Sequence, residues 1–191
     1  LRGQEGRVPL RSLYLGLSRL DPLGEASNDE FKKKRRLRTM GEADKKWLYD
    51  SCNRVLTLSD SIDSISNYSI NRKISGGINT GKYDYLTNSS GQDNLMQILY
   101  ALLSFKLLHK KQKAQWKGGI LLIDEIDATL HPVAQIRLLD VILEVCDESG
   151  LQVVFTTHSL QLLQYLAQNT SSSNKRSLSL IHILRFRRRD E

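Results

Sequence analysis

The sequence predicts an α/β fold with a parallel sheet, and two stretches carry that expectation. After Gly118-Gly119, four aliphatic residues, Ile120 to Ile123, run without a break into two acids, Asp124 and Glu125. So short an apolar run, bounded by glycines and carboxylates, suits a strand buried on both faces. Beyond it, Pro132–Val145 shows helical spacing through Ile136, Leu139, Val141, Ile142 and Leu143. A second apolar run, Leu151–Thr157, follows Gly150, and Ser159–Ala167 is helical in pattern again. Strand, helix, strand and helix with short joints make a parallel, right-handed crossover unit.

The remaining elements follow in chain order. Within residues 9–20 the alternation of Leu13, Leu15 and Leu17 predicts a strand, ended by Asp21-Pro22 and Gly24. Ser27-Asn-Asp-Glu30 has capping-box spacing and predicts the start of a basic helix. A second helix is expected over Asp44–Leu56, with Trp47, Leu48, Cys52, Val55 and Leu56 near one face, so residues 28–58 form a helical insertion. Ser59–Ser75, rich in serine and asparagine, is expected to be loop with short strands. Two of these, near Ser69–Ile74 and Tyr83–Leu86, would flank a glycine-rich turn. From Gly91 to about Lys110, Leu95, Ile98, Leu99, Leu102 and Leu103 recur at helical spacing, and His109 to Lys113 suits a helix C-terminus.

Composition narrows the functional classes. The chain has 191 residues, 40% hydrophobic and 26% charged, which is ordinary for a globular domain. No apolar run approaches the ~18 residues of a membrane span, and Leu1 to Arg7 are too polar for a secretory signal. Cys52 and Cys146 match no metal spacing, and two lone thiols fit a reducing cytoplasm. The net charge is +7, concentrated in Lys32-Lys33-Lys34-Arg35-Arg36 and Arg38. That run reads first as a solvated helix face and second as a DNA contact.

The chemistry gathers at the strand ends. Asp124 and Glu125 fall at the carboxyl edge of their strand, where open α/β sheets bind ligands. As a Walker B pair, Asp124 would hold Mg²⁺ and Glu125 would orient or deprotonate an attacking water. Thr156-Thr157-His158-Ser159 ends the neighbouring strand at the same edge, so His158 joins the acids; as a lone histidine it has a structural reading too. Asn88-Ser-Ser-Gly-Gln92-Asp-Asn94 starts the long helix with a serine cap, either a plain helix start or an anion site. Gly76 to Lys82 satisfies G-x-x-x-x-G-K, but Tyr83 replaces the required Ser or Thr and the surroundings suggest a hairpin. A metal-hydrolase reading would take Asp124, Glu125, His131 and His158 as ligands, without any clustered histidine spacing to support it.

In combination these motifs resemble the C-terminal half of ABC-type ATPases, in the branch containing SMC, RecF and overcoming-lysogenisation-defect (OLD) proteins. Ser89-Ser-Gly-Gln92 is similar to the signature motif, Ile120–Glu125 to Walker B, Ile126–Pro132 to the D-loop and Phe155–Ser159 to the histidine switch. Tyr14–Leu20 is similar to a strand found before the helical region. The resemblance spans roughly residues 9–168. It implies a partial P-loop-type lobe in which ATP is sandwiched between two heads, with a homodimer as the expected assembly. Asp124 would then hold Mg²⁺, Glu125 would be the catalytic base and His158 would contact the γ-phosphate side. Ser89, Ser90, Gly91 and Gln92 would bind the partner head's ATP, and Asp127 would lie at the seam.

The sequence departs from that pattern at both ends. No phosphate-binding loop precedes Leu1–Arg19, and Leu1 is not an initiator methionine. A truncated ATPase domain over 1–177, inactive alone, is therefore expected, with the signature-to-switch lobe at 88–168. Residues 178–191, which include Arg185-Phe-Arg-Arg-Arg189, resemble translated sequencing-adapter read-through and are set aside as non-native. The whole parent is expected to act on DNA or on a defence partner. The rival is a DNA-binding or regulatory module that keeps the fold without turnover.

Overall fold

A computed structural model describes residues 10–20, 41–57, 62–70, 73–80 and 89–170. Strand β1 (Arg11–Leu15) leads into a 3-10 turn at Leu17–Leu20, and α1 (Glu42–Leu56) follows. An antiparallel hairpin, β2 (Ile62–Ile70) and β3 (Lys73–Thr80), precedes the long helix α2 (Ser90–Gln112). Then come β4 (Gly119–Ile123), α3 (Pro132–Ser149), β5 (Leu151–Phe155) and α4 (Leu160–Thr170). The fold is α/β: β1, β4 and β5 form a three-stranded sheet in the order β1-β4-β5, every pair parallel. The β4–α3–β5 crossover expected from the sequence is present.

Helix α2 is the centre of the core. Residues 93–99 are buried without interruption, and Leu95, Met96, Ile98, Leu99 and Leu102 have no exposed surface. A helix apolar around its circumference must be enclosed, and α1, α3 and the sheet enclose this one. Leu48, Cys52 and Val55 contribute α1's buried face, at spacings of four and three residues. Leu138, Leu139, Val141, Ile142 and Val145 do so for α3. Leu121 and Ile123 reach the same core from β4.

The expectation that β4 is buried on both faces is corrected. Its odd positions are buried, but Leu122 is 37% exposed and stands in register with Tyr14 at 63% and Val154 at 53%. Among the described residues, helices cover one face of the sheet. Alternation of side chains is a property of any strand, whereas covering both faces is a property of the layers around it.

Two local expectations also change. The strand expected through Leu17 stops at Leu15, and Leu17 belongs to the 3-10 turn. Ser59–Ser75 contains the whole of a nine-residue strand rather than loop with short strands, and Gly76 and Gly77 lie inside β3, paired with Asn67 and Ser66. The glycine-rich stretch is thus strand through Thr80, not the turn. Isoleucines 62, 65, 70, 74 and 78 supply the β-branched residues that favour pairing, and they outweigh two permissive glycines. The expected helix from Ser27, the Lys32–Arg38 run, the strand at Tyr83–Leu86 and the tail at 178–191 lie outside the described residues.

Burial pushes the Cys52 thiol up to about 12. It therefore stays protonated when folded at pH values where the unfolded chain releases that proton. Raising the pH through this window favours the unfolded state. Between about pH 9 and pH 11, wild type should lose stability faster than Cys52→Ala by about 1.4 kcal/mol per pH unit. Urea unfolding midpoints measure the difference, and parallel pH profiles would refute it.

Candidate active site

The site is made where β4 stops. The Asp124 amide still donates to the Leu15 carbonyl of β1 at 2.9 Å, and the Thr156 amide of the β5 end donates to the Ile123 carbonyl at 3.0 Å. At Glu125 the chain turns: its φ is +48°, in the left-handed region. For a residue with a side chain this costs roughly 1–3 kcal/mol and persists only where the surroundings hold it. Thr156 is one such holder. Its hydroxyl accepts from the Glu125 amide at 2.7 Å and donates to Asp124 Oδ1 at 2.7 Å, and the Ile126 amide donates to the Thr156 carbonyl at 3.0 Å.

Arg19 is the other. It is 2% exposed, and its guanidinium donates to the Glu125 carbonyl at 2.7 Å and to Asn94 Oδ1 at 2.7 Å. Two further bonds reach the carbonyls of Leu15 and Gly16 in its own turn. Burial lowers the pKa of Arg19, opposed by the nearby carboxylates of Asp124, Glu125 and Asp127. A guanidinium starts from so high a pKa that it stays charged. Asn94 passes the contact on, donating through Nδ2 to the Ala128 carbonyl at 2.8 Å, while Gln97 donates to the Arg19 carbonyl at 2.8 Å.

The turn after the acids is fixed separately. Asp127 Oδ1 accepts from the Thr157 hydroxyl at 2.6 Å and from the His158 amide at 3.2 Å, joining this turn to the end of β5. Gln135 Nε2 donates to the carbonyls of Asp127 and Leu130 at 3.2 and 2.9 Å. Thr129 is also left-handed, with φ +64°. A Cβ built on Gly91 would stand 2.5 Å from the Thr129 carbonyl oxygen. The first turn of α2 therefore packs backbone to backbone against this turn.

The sequence-selected residues fall as follows. Glu125 and His158 face each other, Nε2 to Oε1 3.9 Å, with the His158 side chain 85% exposed. Asp124 stands beside Glu125; apart from Thr156 on Oδ1 it takes no hydrogen bond among the described residues, leaving an oxygen donor of the kind Mg²⁺ prefers. Ser89 caps α2 in a full capping box: its hydroxyl accepts from the Gln92 amide at 3.3 Å, and Gln92 Oε1 accepts from the Ser89 amide at 2.8 Å. Ser90 and Gly91 open the helix, where backbone amides lack intrahelical acceptors. His131 caps α3 through Nδ1, and no three His, Cys, Asp or Glu side chains gather as a metal cluster among the described residues. The four-ligand metal-hydrolase arrangement is therefore not formed. Arg19, Asn94, Thr156, Thr157 and Gln135 complete the site without having been singled out individually. One signal was visible for Arg19, a charged residue between Leu17 and Leu20 just after the strand.

A family model described as an AAA ATPase domain matches residues 19–163. The chain belongs to that family. No curated protein matches it. Membership of the AAA ATPase family makes this an ATP-binding, ATPase type of domain. Among the described residues no helix is long and apolar enough to cross a membrane.

Gly91 gives a direct test of the packing at this edge. Gly91→Ala must push α2 and the Thr129 turn apart, and should cost about 1–3 kcal/mol by overpacking. Chemical unfolding measures this; an unchanged midpoint would show that the contact yields freely.

Proposed function

We propose that the chain is the signature-to-switch part of an ATPase head of the ABC type, in the SMC, RecF and OLD branch, working as a homodimer with ATP between two heads. The observation that carries this reading is the convergence of Asp124, Glu125 and His158 at one sheet edge, with the Ser89–Gln92 helix start packed against the turn that follows. Asp124 would hold Mg²⁺, which supplies charge neutralisation for the phosphates. Glu125 accepts a proton from the attacking water as its oxygen bonds to the γ-phosphorus and the bond to the ADP oxygen breaks. His158, within reach of Glu125, contacts the γ-phosphate side. Ser89, Ser90 and Gly91 offer hydroxyl and amide donors to the γ-phosphate on the partner head, and Gln92 braces that turn through the capping box. Asp127, through Thr157 and the His158 amide, sets the seam.

A second reading, a DNA-binding or regulatory module without turnover, draws on one feature. The G-x-x-x-x-G-K stretch runs through β3 up to Thr80 rather than joining a buried strand to a helix. We infer that Gly76–Lys82 is not a phosphate-binding loop, so residues 1–191 alone should turn ATP over poorly. Action on DNA or on a defence partner, and a cytoplasmic setting, belong to the proposal. The Lys32–Arg38 run supports the DNA contact, and two cysteines far apart in sequence support the reducing compartment.

In the full-length gene product, Glu125→Gln should lower kcat for ATP by about 100-fold or more while ATP binding persists. Wild-type turnover in that variant would remove Glu125 as the base, and absence of turnover in wild type would favour the second reading. Salt-dependent DNA binding by wild type and by a variant lacking the Lys32–Arg36 charges tests the basic run. Equal affinities would retire the DNA contact.

A further inference from the structure

We propose that Arg19 is a positioning residue that holds the catalytic carboxylate in place and ties it to the helix starting at Ser89, an inference that rests on the hydrolytic reading above. Its hydrogen bonds divide by destination. The bonds to Leu15 and Gly16 anchor the side chain at the end of β1. The remaining two leave that anchor in different directions, to the Glu125 carbonyl and to Asn94 of α2.

A buried arginine that only satisfied stray carbonyls would be a poor solution, because burying a charge is costly and a neutral amide could do the same. The particular carbonyl it meets matters more. Glu125 is left-handed, so its carbonyl points away from the strand ladder, and the guanidinium holds that orientation together with the Ala128 amide, which donates to the same carbonyl at 3.0 Å. Thr156 fixes the amide side of the same residue. Both peptide groups flanking the Glu125 side chain are thereby fixed, which limits where its carboxylate can swing relative to a nucleotide.

Asn94 extends the linkage. It lies one turn beyond Gly91 in the same buried helix, accepts from Arg19 Nε and donates to the Ala128 carbonyl. A displacement of α2, as when its first turn engages a phosphate, therefore moves Asn94, and with it both Arg19 and the turn carrying Asp127. The acids acting on a head's own nucleotide and the helix start facing the partner's nucleotide are linked through one guanidinium. Lysine cannot replace it, because a single ammonium lacks the planar fork that spans acceptors in several directions.

Arg19→Lys in the full-length gene product tests this. Misplacing Glu125 should lower kcat about 10- to 100-fold with KM for ATP within about twofold of wild type. Amide hydrogen exchange in residues 125–130 should accelerate about tenfold or more, while the cores of α2 and α3 keep their protection. In Arg19→Ala, millimolar guanidinium should restore part of kcat. Wild-type kcat and exchange in Arg19→Lys would overturn the proposal, and so would exchange raised evenly across the domain, which marks a purely structural role. If wild type shows no Glu125-dependent turnover, the hydrolytic reading fails and exchange alone decides: local loosening keeps the positioning role, unchanged exchange ends it. Should Arg19→Lys not fold, Asn94→Asp keeps an acceptor for Arg19 but loses the donor to Ala128. It should loosen the same residues, and wild-type exchange there would also overturn the proposal.

Discussion

The acid-bearing edge of the sheet depends on one backbone event, the left-handed turn at Glu125. A strand that continued past Asp124 would send successive side chains to opposite faces of the sheet. The turn instead keeps both acids at the strand's end and frees the Glu125 carbonyl from the ladder. Such a conformation is uphill for glutamate, so it must be held from outside. Two elements distant in sequence do that: Thr156, at the end of the adjacent strand, and Arg19, beyond the end of β1. The parallel order β1-β4-β5 is what brings both holders to the same edge as the acids. Topology and chemistry are thus joined at one residue.

This explains which parts of the site were legible in the sequence. Asp124, Glu125 and His158 announce themselves because each follows an apolar run, and parallel strands of similar length end together. Ser89 is legible because a serine cap is a local device, whereas the capping box it closes with Gln92, four residues long, shows only in the structure. Arg19 and Asn94 were not legible as a pair. They meet across 75 positions of sequence, and Arg19 meets Glu125 across 106, through contacts that no local period encodes. The misread hairpin has a different cause. Gly76 and Gly77 are permissive rather than directive, so their partners in β2 decide whether they turn or pair. The open face of β4 is a third case, since four aliphatic residues in a row say nothing about how many layers surround them.

Helix α2 reconciles a demand for rigidity with a demand for responsiveness. Its middle is apolar on every side and enclosed by α1, α3 and the sheet, so it cannot bend locally without opening the core. Yet Asn94 and Gln97 are buried polar side chains within it, and both are hydrogen-bonded to the β1 turn at Arg19. In an otherwise oily helix such groups are tolerated only when satisfied, and satisfaction here requires Arg19 to be where it is. The same groups that would be a defect in an isolated helix therefore set the register between α2 and the acid-bearing edge. Because Gly91 already touches the Thr129 carbonyl at the helix start, α2 meets the edge at two points, one steric and one hydrogen-bonded. Two points on a stiff rod fix its rotation as well as its distance. A change at the first turn of α2 is then carried to Glu125 as a rigid-body shift rather than lost in the flexing of a loop.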